Sequence, residues 1–538
     1  MNRRRFLQTS AALTLAPSSA RAADRPRAPF RVLYSNDTTN VSGCVSPWHK
    51  AREPFRPAQL EASVDEVAGK VDAHFLQPGL GMVPMWPSKV LPLAEHYAWI
   101  KERYGQPPDA FGKQVLGGGD VVQVFVDRCR KTGQAPFISF RLNDAHHKEF
   151  AFPKPGGKPG SGIGMSVTKF YIEHPEFILK PGSRRGADMV QNWIHPEVRA
   201  QKLALITELC ENYDIDGLEL DFMRFDSFFD LAKTIRKQRC EVMTGFVKQV
   251  REVLDRTARA GRHRWLCARV PGLVKGLDYI GVDLASLVGV GLDMANLSAS
   301  YFTTQQMDLT VLRQQCEGAA MYVELCHSIE NGPKLTQGYD TFAFRRATRE
   351  ELRTTAHLGY ARGAQGMSLF NFAYYREHGG PGRGAFSEPP FDVIPSLANP
   401  ALLAREPQHW FLAAGWNNAY VRPPVLPRKL ATGGKAVFHM DMAPPAGGWK
   451  SDGRLRVQCE EDLAGRVLQV HLNGKVLEPV GDVSEPFPNP NTTLLGTTEQ
   501  LRAWKIPAAL PADGLNEVGV RLVSGGAVAV HYLDVRMG

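Results

Sequence analysis

The run Tyr213-Asp214-Ile215-Asp216-Gly217-Leu218-Glu219-Leu220-Asp221-Phe222-Met223-Arg224-Phe225 sets two carboxylates two residues apart inside an apolar stretch. Side chains alternate across a strand, so Gly217, Glu219 and Asp221 share one face and Leu218, Leu220 and Phe222 the other. A carboxylate turned into an interior is costly unless it is paired or functional. The chemistry such groups perform is proton transfer or nucleophilic attack. Asp221 lies at the C-terminal end of the run and Glu219 lies deeper. The alternative for either is a buried structural ion pair.

Other apolar runs repeat the pattern. One gives Ser139, Arg141 and Asn143 on one face, with Asp144 and His146-His147 just beyond. Others give Cys267 and Arg269; Asn296, Ser298 and Ser300, followed by Tyr301; Tyr322 and Glu324, followed by His327; and Asn371, followed by Tyr374 and Tyr375. Flat aromatics near the first two runs, Tyr34, Trp48 and Trp86, are of the kind that stacks on sugar rings, although each is also a packing residue. Asp221 and Glu324 are the expected catalytic pair. Glycoside hydrolysis needs one carboxyl to protonate the leaving oxygen and a second as nucleophile or base; a separation of about 5–5.5 Å implies retention and about 6.5–9.5 Å inversion. The rival partner is Asp144, and the alternative for Glu324 is a structural bond to Arg269. Asp293 precedes its strand and is expected at the opposite end. Arg224, Arg269 and Asn143 are expected to hold substrate hydroxyls or an acidic sugar. Asp144, His146, Glu219, Asn296, Tyr301, Asn371 and Trp86 complete the expected substrate-binding set.

These residues need elements that hold them at one height. Eight β-rich runs carry them: Phe30–Asn36, Val71–Gln77, Phe137–Asn143, Ile215–Phe222, Trp265–Val270, Met294–Ser300, Ala320–Cys326 and Gly366–Phe372. Helical patterns separate them, including one opened by His195-Pro196-Glu197, with Pro in the first turn. Alternating strand and helix predicts an α/β fold, a (β/α)8 barrel over 28–400, whose catalytic groups sit at the C-terminal strand ends. The competing open doubly wound sheet wants a Gly-rich loop after strand one; Asp37-Thr38-Thr39-Asn40 stands there instead. The Gly/Pro-rich stretch 150–166 is either a loop on the active face or an inert insertion. Beyond the Pro-rich 421–429 linker, short alternating strands and the Asn473-Gly474 turn predict an antiparallel β-sandwich over 430–538.

The segment Tyr213–Phe225, with Trp193-Ile194-His195-Pro196-Glu197-Val198 before it, resembles the glycosyl-hydrolase-like (β/α)8 proteins. Their His-Pro-Glu-Val helix start and fourth-strand D-G-h-x-h-D-x-x-R pattern map onto Asp216, Gly217, Asp221 and Arg224. The resemblance implies a catalytic carboxylate at Asp221 and an accessory role on carbohydrate for the sandwich. The chain departs from the barrels with two catalytic glutamates, since strand four lacks their Asn-Glu pair.

Residues 3–22 resemble a twin-arginine export signal: Arg3-Arg4-x-Phe6-Leu7, a short apolar run, then Ala20-Arg21-Ala22. Residues 1–22 are therefore expected to be removed, with the mature protein periplasmic or secreted; the alternative is a retained anchor. That run is too short to span a bilayer, and no membrane span is expected elsewhere. Net charge is +9, or 60 positive against 55 negative side chains once Arg3, Arg4, Arg5 and Arg21 are set aside. No polybasic block stands out, so no nucleic-acid partner is expected. The eight cysteines form no C-x-x-C, and no H-x-H stands on strand one, so no metal or other cofactor is expected. G-x-S-x-G, H-E-x-x-H and Walker motifs are likewise missing. The expected activity is an exported glycoside hydrolase acting on a poly- or oligosaccharide; the alternative is a non-catalytic carbohydrate-binding barrel.

Overall fold

The structure is a computed structural model describing residues 26–36, 55–80, 82–144, 146, 162–180, 188–330, 344–373, 388–412, 425–481 and 497–538. Residues 1–22, read above as an expected export signal, and Trp48, His147, Tyr374, Tyr375 and most of the 150–166 stretch lie outside the described residues.

Eight parallel strands close into a barrel. They are β1 (Val32–Asn36), β2 (Ala73–Leu76), β3 (Ala135–Arg141), β4 (Gly217–Asp221), β5 (Trp265–Pro271), β6 (Met294–Ser298), β7 (Ala320–Leu325) and β8 (Gly366–Phe370). Helices follow the sequence cues. The helix α1 (Val121–Thr132) starts on Asp120, whose carboxylate accepts from the N–H groups of Val122 and Gln123, and stops at left-handed Gly133. In α2 (Pro196–Asn212), Pro stands in the first turn. The long α3 (Arg236–Arg256) feeds β5. In α4 (Arg349–Ala361), Thr348 and Glu351 form a capping box.

Period two sorts the side chains. Leu218, Leu220 and Phe222 join the apolar layer between strands and helices, with Leu205, Leu209 and Phe246. The barrel interior below the site is plugged by Leu33, Phe75, Phe137, Trp265, Met294 and Tyr322. Phe75 and Phe137 stack at 4.5 Å between centroids, and Phe30 meets Phe137 edge-on at 5.3 Å. Gly217 opens β4 because a Cβ there would lie 2.1 Å from the Phe137 ring. Asp216, one residue earlier, belongs to the N-terminal face, where Arg130 donates to both its oxygens at 2.6 and 2.7 Å. Asp293 is also at that face, accepting from Arg251 at 3.0 Å and the Leu266 N–H at 2.8 Å.

The C-terminal strands form two antiparallel sheets. One is built on β9 (Gln408–Leu412), Gly453–Cys459, Leu501–Ile506 and the final strand Val528–Met537; the other on Lys435–Met442, Gly514–Ser524 and Val467–Leu472. Asn473 and Gly474, both at positive φ, turn the expected hairpin. The first sandwich strand, β9, precedes the Pro-rich linker and pairs antiparallel with the final strand. Its His409 donates from Nε2 to Asp534 at 2.6 Å, and the same carboxylate accepts from Arg456 at 2.5 and 3.0 Å and from the Tyr532 hydroxyl at 2.8 Å. Against this cluster lies Glu351 of α4, clamped by both Nη atoms of Arg345 at 2.5 and 2.8 Å. Barrel and sandwich thus share a buried ionic seam.

None of the seven described cysteines forms a disulfide. No helix among the described residues is long and apolar enough to cross a membrane.

Gly217→Ala is expected to lower stability by about 1–3 kcal/mol, since Phe137 must leave its rotamer or strand β4 must shift. A urea midpoint equal to that of the wild type would show that the ring does not need this glycine.

Candidate active site

Parallel pairing sets Arg141 of β3 beside Asp221 of β4, and Asp221 beside Arg269 of β5. The three adjacent strands therefore end in alternating charge at one height. Arg269 is the hub. Its Nη1 donates to Asp221 Oδ1 at 3.1 Å, its Nε to Glu324 Oε2 at 2.6 Å and its Nη2 to Glu324 Oε1 at 2.8 Å. Nη2 also donates to Ser298 Oγ at 3.1 Å and the Ser300 carbonyl at 3.0 Å, and the guanidinium lies 3.8 Å from the Phe370 ring centroid. Asp221, Glu324 and Arg269 are all at most 2% exposed. Burial opposes charge on Arg269, but Glu324 and Asp221 outweigh it and hold the guanidinium protonated well above its ordinary range. Burial raises the Glu324 carboxyl, against the pull of Arg269 and Ser298. Ser298 donates to Glu324 at 2.5 Å. The Asp221 carboxylate also accepts from the Met223 N–H at 2.9 Å, and Gln77 approaches its other oxygen at 3.4 Å.

Glu219 lies one step deeper. It accepts from Ser139 at 2.7 Å and Asn296 at 3.1 Å, with the Cys267 thiol at 3.5 Å. Burial, then the Asp221 charge, raise its pKa from 4.5 to about 7. Asn296 Oδ1 is buried without a hydrogen-bond partner. Turning that amide over would offer an acceptor to a protonated Glu219.

The rim is built around Asp144. Its carboxylate faces His146 Nδ1 at 2.7 and 2.9 Å, Arg141 at 3.3 Å and Arg224 Nε at 4.0 Å. Burial would raise this carboxyl, but His146, Arg141 and Arg224 hold it far below the usual carboxylate range. Lys202 of α2 is buried nearby, and burial lowers its pKa to about 8 against the attraction of Asp144. Arg224 Nη2 meets His146 Nε2 at 2.8 Å.

Backbone strain marks the same face. Of the five non-Gly residues at positive φ among the described residues, Phe225, Ser300 and Asn371 stand just past β4, β6 and β8. Such conformations cost on the order of 1–3 kcal/mol and cluster where a site dictates geometry. At Ser300 the strained backbone presents its carbonyl to Arg269 and its N–H to Ser298 Oγ at 2.9 Å.

The structure thus brings Asp221, Glu324, Glu219, Arg269 and Asn296 into one inner network, and Asp144, His146, Arg224 and Tyr301 into a rim. Asn371 is buried directly after β8, its N–H donating to the Ser35 carbonyl at 2.8 Å. Asn143 is engaged by backbone: its Nδ2 donates to the carbonyls of Gln191 and Ser227 at 2.9 and 2.8 Å, and its Oδ1 accepts from the Gln191 N–H. Trp86 is not in either group. It is buried, and its indole donates to Glu208 of α2 at 2.9 Å, the same carboxylate that takes Ser88 and the Lys89 N–H. Gln77 and Lys202 had no place in the expected set. Period two from Phe75 could have pointed Gln77 inward; Lys202 sits on a helix whose pattern gives no such signal. Among the described residues, no group of three or more His, Cys, Asp and Glu is arranged to hold a metal ion.

No protein-family model matches the chain, and no curated protein matches it. Solved structures with a similar shape include a Paenibacillus cycloisomaltooligosaccharide glucanotransferase in complex with cycloisomaltoheptaose, at 9% identity over 93% of this chain, TM-score 0.31. A second is alpha-L-fucosidase isoenzyme 2 from Paenibacillus thiaminolyticus, at 12% identity over 68% of this chain, TM-score 0.40. A third is Streptomyces plicatus N-acetyl-beta-hexosaminidase, at 11% identity over 70% of this chain and 67% of that one, TM-score 0.38. The chain spans 57% and 48% of the length of the first two. At these identities no residue role passes from them to this chain.

Glu219 yields a pH prediction. The folded state keeps a proton that the unfolded chain releases, so stability from this group is full below about pH 4.5 and declines as pH rises to about 7. The loss is on the order of 3 kcal/mol. Glu219→Gln is expected to remove this decline, so that variant and wild type diverge between pH 5 and 7 in denaturant titrations. A constant difference across that range would place the proton elsewhere.

Proposed function

We propose that the chain is an exported glycoside hydrolase acting on a poly- or oligosaccharide at the C-terminal face of its barrel. The reading rests on one observation: Asp221 and Glu324, from strands three apart around the closed barrel, meet on a single guanidinium. In this reading Glu324 is the general acid, since burial raises its carboxyl toward a state that can hold a proton. Asp221, oriented by the Met223 N–H and Arg269, is the nucleophile or base. Arg269 positions both carboxyls and stays charged throughout. Asp144 is the weaker partner, because its cationic neighbours hold it as an anion and leave it no proton to give.

A second reading has its own observation. Glu324 is bidentately paired and buried, as in a structural ion triad. A non-catalytic carbohydrate-binding barrel would look the same at this position.

Asp221→Asn is expected to keep the fold and abolish product release from a panel of polysaccharides digested by wild type. Glu324→Gln is expected to lower kcat by about 10²–10⁴-fold, the usual weight of a general acid. Near wild-type cleavage by Asp221→Asn would overturn the assignment; a wild-type protein that binds glycans and releases no product favours the second reading.

A further inference from the structure

We propose that the outer face of the second sandwich sheet, centred on Gly519, is a two-fold interface that pairs this chain with a second copy of itself. The inference goes beyond the barrel site and does not depend on the reaction carried out there.

The first ground is the pattern of one strand. Gly514–Ser524 runs through that sheet between Lys435–Met442 and Val467–Leu472. Its Asn516, Val518, Val520 and Leu522 are buried, so the odd-numbered residues face outward. They read Leu515, Glu517, Gly519, Arg521, Val523: apolar, acidic, glycine, basic, apolar. The order is antisymmetric in charge about Gly519. In a two-fold interface, residue i meets j and j meets i. An axis along the row Val437, Gly519, His471, which the strand register aligns, sets Glu517 against the partner's Arg521 and Arg521 against the partner's Glu517. Leu515 then lies against the partner's Val523, and Val437 against its own equivalent.

The second ground is exposure. Of the eleven large apolar side chains that stand exposed among the described residues, five are on this one sheet: Val437, Val467, Val476, Leu515 and Val523. Leu515, at 72%, is the most exposed of them. Such side chains scattered singly need no explanation, but a cluster interleaved with charge marks an interaction surface.

The third ground is what the face fits. Its centre is low, because a Cβ at Gly519 would lie 2.8 Å from Lys435 Cε; the Lys435 stem crosses the glycine toward Glu517, 3.9 Å away. No Trp, Tyr or Phe points outward here among the described residues, so the face lacks the ring that stacks on a sugar. Strand length and spacing make it about 35 Å by about 17 Å, roughly 1,200 Å² over two copies, at the lower end of specific interfaces. The pairing is therefore reversible and grows with concentration.

The test is sedimentation velocity of the purified protein from about 1 to about 200 µM, a range suited to an interface of this size. The weight-average mass is expected to move from one copy toward two. Arg521→Glu and Glu517→Arg are each expected to remain monomeric with an unchanged melting midpoint, because each sets like charges face to face. Mixed in equal amounts, these two variants are expected to pair, since each supplies the charge the other lacks. The double variant is expected to pair with itself. If a charge variant fails to fold, Leu515→Ser replaces it and is expected to raise the dissociation constant about ten-fold or more. A wild type that is monomeric at every concentration overturns the interface. So does a dimer that Arg521→Glu and Leu515→Ser leave intact. Retention of monomeric wild type on an insoluble polysaccharide, lost in Leu515→Ser, gives the face to a glycan and overturns self-pairing.

Discussion

A buried guanidinium between two buried carboxylates is the constraint around which the barrel mouth is organised. Arg269 uses its Nε and both Nη atoms, toward Asp221, Glu324, Ser298 and the Ser300 carbonyl, with Phe370 beneath its plane. Desolvating any one of these charges alone would cost several kcal/mol. Together they are tolerable only in this geometry, so strand register, the turn at Ser300 and the hydroxyl of Ser298 are all fixed by it.

The same constraint decides the protonation of the layer below. Asp221 and Glu324 already share Arg269, so a third ionised carboxyl at Glu219 would face repulsion from Asp221 that Arg269 offsets only in part. It meets a serine and an amide instead of a second cation, and stays largely neutral until about pH 7. Below that, the barrel reverts to the aromatic plug that any stable interior could use. Polarity rises from Phe137 through Glu219 to Asp221 across the inward residues, and at the barrel mouth the strained residues Phe225, Ser300 and Asn371 stand in the loops beyond.

The fold was legible because its signals are periodic. Period two in residues 213–225 separates Leu218, Leu220 and Phe222 from Glu219 and Asp221, and the structure keeps that division. The barrel and the following sandwich follow from the order of strands and helices. The site was legible as a set of inward, strand-end residues, and less so as a set of roles. Arg269 was expected to meet a sugar, and its guanidinium is engaged by Asp221, Glu324, Ser298 and the Ser300 carbonyl. Asn143 was expected to do the same, and it fastens two loops. Trp86 looked like a stacking platform and is a buried strut on Glu208. A sequence gives the type of a side chain; whether its polar atoms are already satisfied depends on partners 29 to 122 residues away. The first strand of the sandwich was missed as well, because Gln408–Leu412 has no turn signal to distinguish it from the end of the barrel.

That strand changes what the C-terminal region is. Domains joined by a flexible tether can be exchanged between proteins as cassettes. Here the strand that begins the sandwich is laid against the chain's last strand, and its His409 and their shared Asp534 sit against the Arg345–Glu351 clamp of the barrel. Further clasps, such as Arg362 at the C-terminal cap of α4 on Asp441, cross the same boundary. Removing the sandwich would strip cover from buried charges in the barrel and leave β9 as a raw edge. The two halves are therefore bound to inherit, express and turn over together, and any hybrid built from this barrel must bring the far end of the chain along with it.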